Sequence, residues 1–441
     1  MPLPRALAPL RHRPFALLWG GAFLSNIGNW METITVGVYV QRTTGQAGWT
    51  GLVAGAAFIP NALFGPVGGA LADRLPRKPL LIVATALQLI LAGTLAVLVT
   101  RGTATPGVIA VIVFVAGCVG AAQFPAYQSI LPDLVPVEDL PGAVALSSTQ
   151  WNLGRVIGPA LAGIVIAIGG YGWALGINTL SFLAPLIVVV IIHIPPPAAK
   201  PTESLLRSMR DGFAFARQDP GLRVSLQFLA VAAFLAAPFI ALVPAISDKV
   251  LHAETTSHGT AWLVTAQGLG AVVAGLSLGG LTTRYGIRNI LLRLMLALPI
   301  ALFLYAIAPT LWFAVPAIFV VGLVYLGVLA SSTTVAQLRA PAAMRGRVLS
   351  LFLVVLGLLY PIGAALQGRL GDTFGLRRVT AIAAILYGVV VYGAWLVRPG
   401  FLDPLDAPVP EGAPGVEETE LGIAPVPEEI RPRSNRGSDR S

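Results

Sequence analysis

Long apolar stretches, nearly free of charge, recur from one end of this chain to the other and are separated by short polar breaks. They lie at about residues 14–41, 50–72, 79–100, 107–131, 140–168, 172–193, 222–247, 259–283, 287–308, 311–338, 345–368 and 377–397. The hydrocarbon core of a bilayer is crossed by about 20 apolar residues in helical form, and each stretch reaches that length. Membrane strands would instead alternate apolar and polar positions over about ten residues, which these do not. The pattern therefore predicts an all-α integral membrane protein with twelve transmembrane helices. Two breaks rest on turn residues: Gly169-Gly170-Tyr171-Gly172 divides the fifth span from the sixth, and Ala308-Pro309-Thr310 divides the ninth from the tenth.

Composition strengthens this reading. Of 441 residues, 56% are hydrophobic and only 11% charged, whereas a soluble chain carries about 25% charged residues. The net charge of +9 raises nucleic acid as a partner, but the basic residues form no stripe interleaved with aromatics. They cluster between spans, which is how topology is encoded. With the N-terminus inside, 18 Lys and Arg fall in or beside inner loops and 6 in outer ones. That bias predicts cytoplasmic N- and C-termini. Three of the outer six, Arg369, Arg377 and Arg378, flank a single loop, an exception the topology rule does not explain. The first apolar stretch is too long for a signal-peptide core and is read as an uncleaved span. The lone Cys118 lies in an apolar run and reads as a small buried hydrophobe.

The polar breaks also divide the chain. Residues 1–193 are expected to form an N-terminal six-helix bundle and residues 222–398 a C-terminal one. Between them, residues 194–221 open on three prolines and continue as an amphipathic cytoplasmic helix, Ser204 to Gln218. Residues 399–441, rich in Pro, Gly and Glu, are expected to be a disordered cytoplasmic tail. The two bundles echo one another in order and at nearly constant spacing. Arg11-His12-Arg13-Pro14 answers Arg217-Gln218-Asp219-Pro220; Gly69, Leu71 and Arg74 answer Gly279, Leu281 and Arg284; Pro159 and Gly163 answer, less closely, Pro361 and Gln367-Gly368. Parallel repeats of this kind place a binding site between the halves near mid-membrane.

Two motifs carry mechanism. The second span ends in Gly68-Gly69-Ala70-Leu71-Ala72-Asp73-Arg74-Leu75-Pro76-Arg77-Lys78, where an acid beside basic residues at a helix end can exchange partners. The fifth span reads Gly154-Arg155-Val156-Ile157-Gly158-Pro159-Ala160-Leu161-Ala162-Gly163; small residues four apart permit close helix packing and Gly-Pro bends the helix. The span-2 motif resembles the loop signature of the major facilitator superfamily, with Pro76 where that family usually has glycine. The span-5 motif is similar to the antiporter motif of its drug exporters, with Ala162 in place of a glycine. Asn26, Asn29, Trp30, Met31 and Glu32 in the first span, and Arg345-Gly346-Arg347-Val348, are similar to the branch holding the enterobactin exporter and the macrolide efflux permeases. The resemblance covers about residues 10–398. It implies the major facilitator fold of two six-helix pseudo-repeats, a bacterial inner-membrane location and a monomer. It also implies a conformational latch of Gly69, Asp73, Arg74, Arg77 and Lys78, with Arg284 and Gly286 as its counterpart, and an antiporter-like helix of Gly154, Gly158, Pro159 and Gly163.

Only Glu32 and Arg155 lie deep within the spans. An ionisable residue there is costly and is a functional candidate by default. At 100° per residue, Asn26, Asn29 and Glu32 share one face of the first span. Desolvation disfavours a charged carboxylate, which makes Glu32 the candidate proton carrier. Arg155 does not deprotonate; pairing with Glu32, modulation of its titration and binding of an anionic substrate group all stay open. Gln123, Tyr127, Gln150 and Asn152 are further candidates for lining the cavity, or for bonding one helix to another.

Absences narrow the field. The chain has no Gly-x4-Gly-Lys-Ser/Thr loop that would cradle ATP phosphates. Its four histidines show no metal-ligand spacing, and no cofactor is called for. The spans hold no cluster of His, Asp or Ser that would make an enzyme. The expected function is proton-coupled export of a drug-like or siderophore-like small molecule by alternating access, with the substrate, protons and membrane lipid as partners. The alternative is a symporter of the same fold that imports a nutrient.

Overall fold

The computed structural model describes residues 5–194, 205–253, 258–341 and 344–406; within these, the side chains of residues 5, 6, 66, 69, 70, 72–74, 152, 205–209 and 258 are outside the described set. Among the described residues every regular element is helical. The first group comprises α1 (Arg13–Thr44), α2 (Ala47–Arg74), α3 (Arg77–Thr100), α4 (Pro106–Leu134), α5 (Leu140–Ser181) and α6 (Leu183–Ile191). Helix α7 (Leu205–Gln218) follows in the linker. Then come α8 (Pro220–Val231), α9 (Phe239–Lys249), α10 (His258–Tyr285), α11 (Ile287–Ile307), α12 (Leu311–Arg339), α13 (Arg345–Phe374) and α14 (Leu376–Val397).

Among the described residues, ten helical stretches are long and apolar enough to cross a membrane. Helix α1, although 32 residues long, is not among them, because Asn26, Asn29 and Glu32 dilute its apolar character. One of the ten, Val137–Ile191, runs through a break at Gly170. There φ is 78°, a left-handed value that costs a Cβ-bearing residue energy and that glycine adopts freely. The chain reverses at this point, so α5 has two arms. The π-helical turn Ala232–Ala236 joins α8 to α9. Gln367 of α13 donates to the Phe234 and Leu235 carbonyls, 3.1 Å each, filling bonds that the irregular turn leaves open.

Lipid tails are as apolar as leucine, so helices here associate through close packing and interhelical hydrogen bonds more than through a hydrophobic drive. The main packing partners are α1 with α5, α2 with α4 and α13, and α10 with α12 and α5. At Gly51 a side chain on α2 would collide with the Ala364 carbonyl of α13; the missing Cβ lets the two backbones meet. The largest buried cluster runs through α8–α14 and takes in Met31, Ile34 and Val38 of α1.

The contacts that join α1–α6 to α8–α14 lie between mid-membrane and one end. They include Gln41 with Asp248, Gly48 with Asp372, Gly51 with Ala364, Gly55 with Pro361 and Gly268 with Val156. On the topology expected from Lys and Arg, this would be the outer end.

The structure corrects the sequence reading for the first residues of the tail. Phe401, Leu402 and Leu405 are buried, and Asp403–Leu405 form a short 3-10 helix. Arg288 pairs with Asp403 and, at 2.8 Å, with Asp406, while Arg339 donates to the Leu405 carbonyl at 2.9 Å. An apolar triplet flanked by acids has a basic, partly apolar surface to dock on, which composition averaged over the whole tail conceals. Residues 407–441 lie outside the described residues.

Candidate substrate and proton site

Helix α1 is held between the two arms of α5. On the first arm, a Cβ on Gly154 would stand 3.2 Å from Asn26, and one on Gly158 only 2.6 Å from the Trp30 Cβ and 2.8 Å from the Ile27 carbonyl. The small-residue motif thus brings α5 against the polar stretch of α1. On the other arm, Asn178 has 0% exposure and its Nδ2 donates to Glu32 Oε2 at 2.6 Å. The Ser181 hydroxyl donates back to the Asn178 carbonyl at 2.7 Å. Glu32 is therefore held by a neutral amide. Asn178 was not singled out from sequence, yet a lone Asn in the apolar 172–193 stretch is a signal of the same kind as Glu32.

Arg155, midway along the first arm of α5, takes a different environment. Its guanidinium lies 5.6 Å from the centre of the Trp30 ring, and Trp30 meets Trp151 edge-on at 5.9 Å. It has no ion pair or hydrogen bond with any described residue, so the pairing with Glu32 left open by the sequence is not made in this structure. Its electrostatic neighbours are Tyr325 of α12 and Tyr360 of α13, which places it at the seam between the two helix groups. Behind them stands an aromatic wall. Phe239 packs edge-on against Tyr325 at 5.8 Å and Tyr305 at 6.5 Å, and Phe58 against Tyr360 at 5.2 Å. The hydroxyls of Tyr305 and Tyr387 are buried without a hydrogen-bond partner among the described residues. Sequence reasoning missed these tyrosines, since an aromatic in a span usually signals packing.

The other predicted residues divide. Asn26 is buried against Gly154, whereas Asn29 is exposed on α1. Gln123 turns away to α3, donating to Thr85 Oγ1 at 3.0 Å. Gln150 of α5 donates to the Tyr127 hydroxyl of α4 at 3.4 Å, and its Oε1 is buried unpaired. Pro159 and Gly163 are buried on the same arm of α5. The side chain of Asn152 lies outside the described residues, as do those of Gly69, Asp73 and Arg74. Among the remaining latch residues, Arg77 bonds to Asp133 at 2.7 Å and to the Ser129 carbonyl at 3.0 Å. Lys78 donates to the Val190 and Ile192 carbonyls at 2.8 Å. Both act within α1–α6. Arg284 stacks on Tyr285 at 5.3 Å, and Gly286 starts α11 with φ 79°.

The end of the seam that carries Gln41 and Asp372 is tied by groups the sequence did not single out. Asp372 of α13 accepts from the backbone N–H groups of Ala47 and Gly48 at 2.8 Å each and from Lys249 at 2.8 Å. Gln41 donates to Asp248 at 3.0 Å. Arg377, one of the three unexplained outer arginines, donates to the Ala308 carbonyl at 2.9 Å and so caps α11.

The chain is similar to several known proteins. The profile of a family described as transmembrane secretion effectors matches residues 5–402. Macrolide efflux protein A of Streptococcus pyogenes is 27% identical over 377 residues, 82% of this chain and 90% of that protein. The enterobactin exporter of Escherichia coli O1:K1 is 27% identical over 395 residues, 88% and 91%. The staphyloferrin A transporter of Staphylococcus aureus is 25% identical over 377 residues, 83% and 92%. Among solved structures, a bacterial homologue of the human lysosomal transporter Spinster, inward-facing and unoccupied, aligns at a TM-score of 0.70 and 16% identity over 89% of this chain and 98% of that one. That likeness concerns the fold alone.

Proposed function

This chain belongs to the transmembrane secretion effector family of the major facilitator superfamily, and from that premise we propose that it is a proton-coupled antiporter exporting a drug-like or siderophore-like small molecule. It is a small-molecule transporter of a multi-pass, efflux-type family and not an enzyme. The finer reading has twelve crossings, the ten apolar stretches being joined by α1 and divided once more at Gly170. Residues 1–193 and 222–398 act as two six-helix bundles that rock about the seam, in an inner membrane with both termini cytoplasmic, as a monomer.

The single observation that carries the proton step is the Glu32–Asn178 bond of 2.6 Å. A carboxylate locked to a cation would have to break an ion pair to take a proton. Held by a neutral amide inside the membrane, it can accept one with its partner still in place. Substrate binding and Glu32 protonation then favour opposite conformations, which couples export to proton entry.

Everted vesicles carrying an acid-inside gradient, read by a pH-sensitive dye, test this. A panel of macrolides, cationic dyes and catecholate siderophores should trigger proton release for at least one compound, and Glu32→Gln should abolish it. Silence across the panel from folded protein would reject antiport of these substrates and move the reading to nutrient symport. Release that persists in Glu32→Gln would remove the proton role from Glu32.

A further inference from the structure

Resting on the exporter reading above, we propose that the seam between the helix groups is an anion site, and that the transported molecule carries an acidic headgroup on an aromatic or amphipathic body. Arg155 would bind the acid, with Tyr325 and Tyr360 completing the site.

The argument starts from charge. An Arg placed within a span keeps its charge and is found paired with an acid, bonded to carbonyls, or on a substrate path. Arg155 has neither of the first two. The other deep charge, Glu32, is committed to Asn178 on the far arm of α5. Arg155 is only partly buried, and its backbone carbonyl lies against Gly268 of α10, which sets it on the seam. A guanidinium presents planar N–H donors that match a carboxylate or phenolate.

The surroundings add direction. The Trp30 ring centre lies 5.6 Å from the guanidinium and supports the cation without neutralising it. Tyr325 and Tyr360, on the opposite helix group, lie within electrostatic range of it, and each carries a hydroxyl that can donate to an anion. A ligand held by Arg155 on one side and the two tyrosines on the other would bridge the two moving parts. Phe58 and Trp151, both exposed, offer ring surface for an aromatic body. A cationic ligand would meet a like charge with no nearby acid free to offset it.

Fluorescein and rhodamine 6G share one ring system with opposite charge and serve as probes. The full chain in nanodiscs is titrated with each dye and followed by fluorescence anisotropy, with empty nanodiscs subtracted. Fluorescein should bind saturably. Its affinity should fall about tenfold or more in Arg155→Gln, as expected for losing a charge-assisted bond, and severalfold in the pair Tyr325→Phe with Tyr360→Phe. Arg155→Lys, which keeps the charge but not the planar fork, should retain more affinity than Arg155→Gln, which shows that the loss follows charge and not folding. Tighter saturable binding of rhodamine 6G, no saturable binding of fluorescein, or unchanged fluorescein affinity in Arg155→Gln would each overturn the anion site.

Binding that depends on Arg155 without substrate-driven proton release would reject the antiport reading and leave the anion site standing.

Discussion

Asp372, near the end of α13, accepts hydrogen bonds from the backbone of Gly48 and of its neighbour Ala47 in the first turn of α2, each at 2.8 Å. A helix start leaves N–H groups without partners and carries partial positive charge. The local N-cap residue of α2, Gln46, supplies no side-chain bond, so an acid from the other helix group does the capping. Lys249 joins at 2.8 Å. Removing the acid should weaken the outer seal and favour the outward-open state. In a Cys118→Ala background, spin labels at Gln46 and Thr373 should gain a longer-distance population on Asp372→Ala. An unchanged distribution would mean that the backbone contact of Gly51 with Ala364 keeps this end shut alone.

The α1–α5 contact predicts a sharp steric effect. At Gly158 a side chain would press on the Trp30 Cβ and the backbone of Ile27 and Met31, none of which is a flexible end. Overpacking of this kind costs about 1–3 kcal/mol. Gly158→Val should therefore lower the melting temperature and impair transport together, because the helix displaced carries Glu32. Gly20, with nothing near it, is the control: Gly20→Val should leave both nearly unchanged.

The spans were legible because the bilayer imposes a length and a lack of charge on every crossing, and residues 107–131 or 311–338 satisfy both on inspection. Glu32 and Arg155 were legible as exceptions to the same rule. Their partners were not. Asn178 and Tyr325 come from other helices, and only the packing angle of those helices brings them to the site. Gln123 shows the converse: its polarity marked it for the cavity, while the structure spends it on Thr85. The outer arginines resembled errors of topology because a charge count does not distinguish a topogenic residue from a cap such as Arg377 on Ala308. The docked residues Phe401 and Leu402 were hidden by the composition of the tail that follows them.

The inner end of the second helix group turns on one buried pair. Asp219, with 0% exposure, meets Arg339, at 6%, through two bonds of 2.7 Å, and also caps α8 by accepting from the Leu222 N–H at 2.7 Å. Removing one partner leaves a buried charge uncompensated, which costs about 3–5 kcal/mol. Asp219→Ala should therefore lower thermal stability strongly in purified protein. Asp403→Ala, which strips one exposed partner from Arg288, should change it little. Comparable melting of the two variants would show that the pair is not a keystone of this end.

The Glu32–Asn178 bond makes the sharpest functional prediction, because it separates holding a carboxylate from titrating it. Asn178 fixes the acid against the second arm of α5, and α1 itself is seated by Gly154 and Gly158. Asn178→Ala should leave the fold intact, since the truncation removes a side chain from a contact that Gly28 and Ser181 continue to fill. The acid then loses its fixed position, and substrate-triggered proton release should slow by about tenfold, the scale of losing one hydrogen bond to a charged or ionisable group. Asn178→Gln, which keeps the amide but lengthens its reach, should fall between the two. Glu32→Gln should be silent in the same assay while still binding substrate. If Asn178→Ala releases protons at the wild-type rate, the amide is a packing residue only, and Glu32 would have to find its proton path without it.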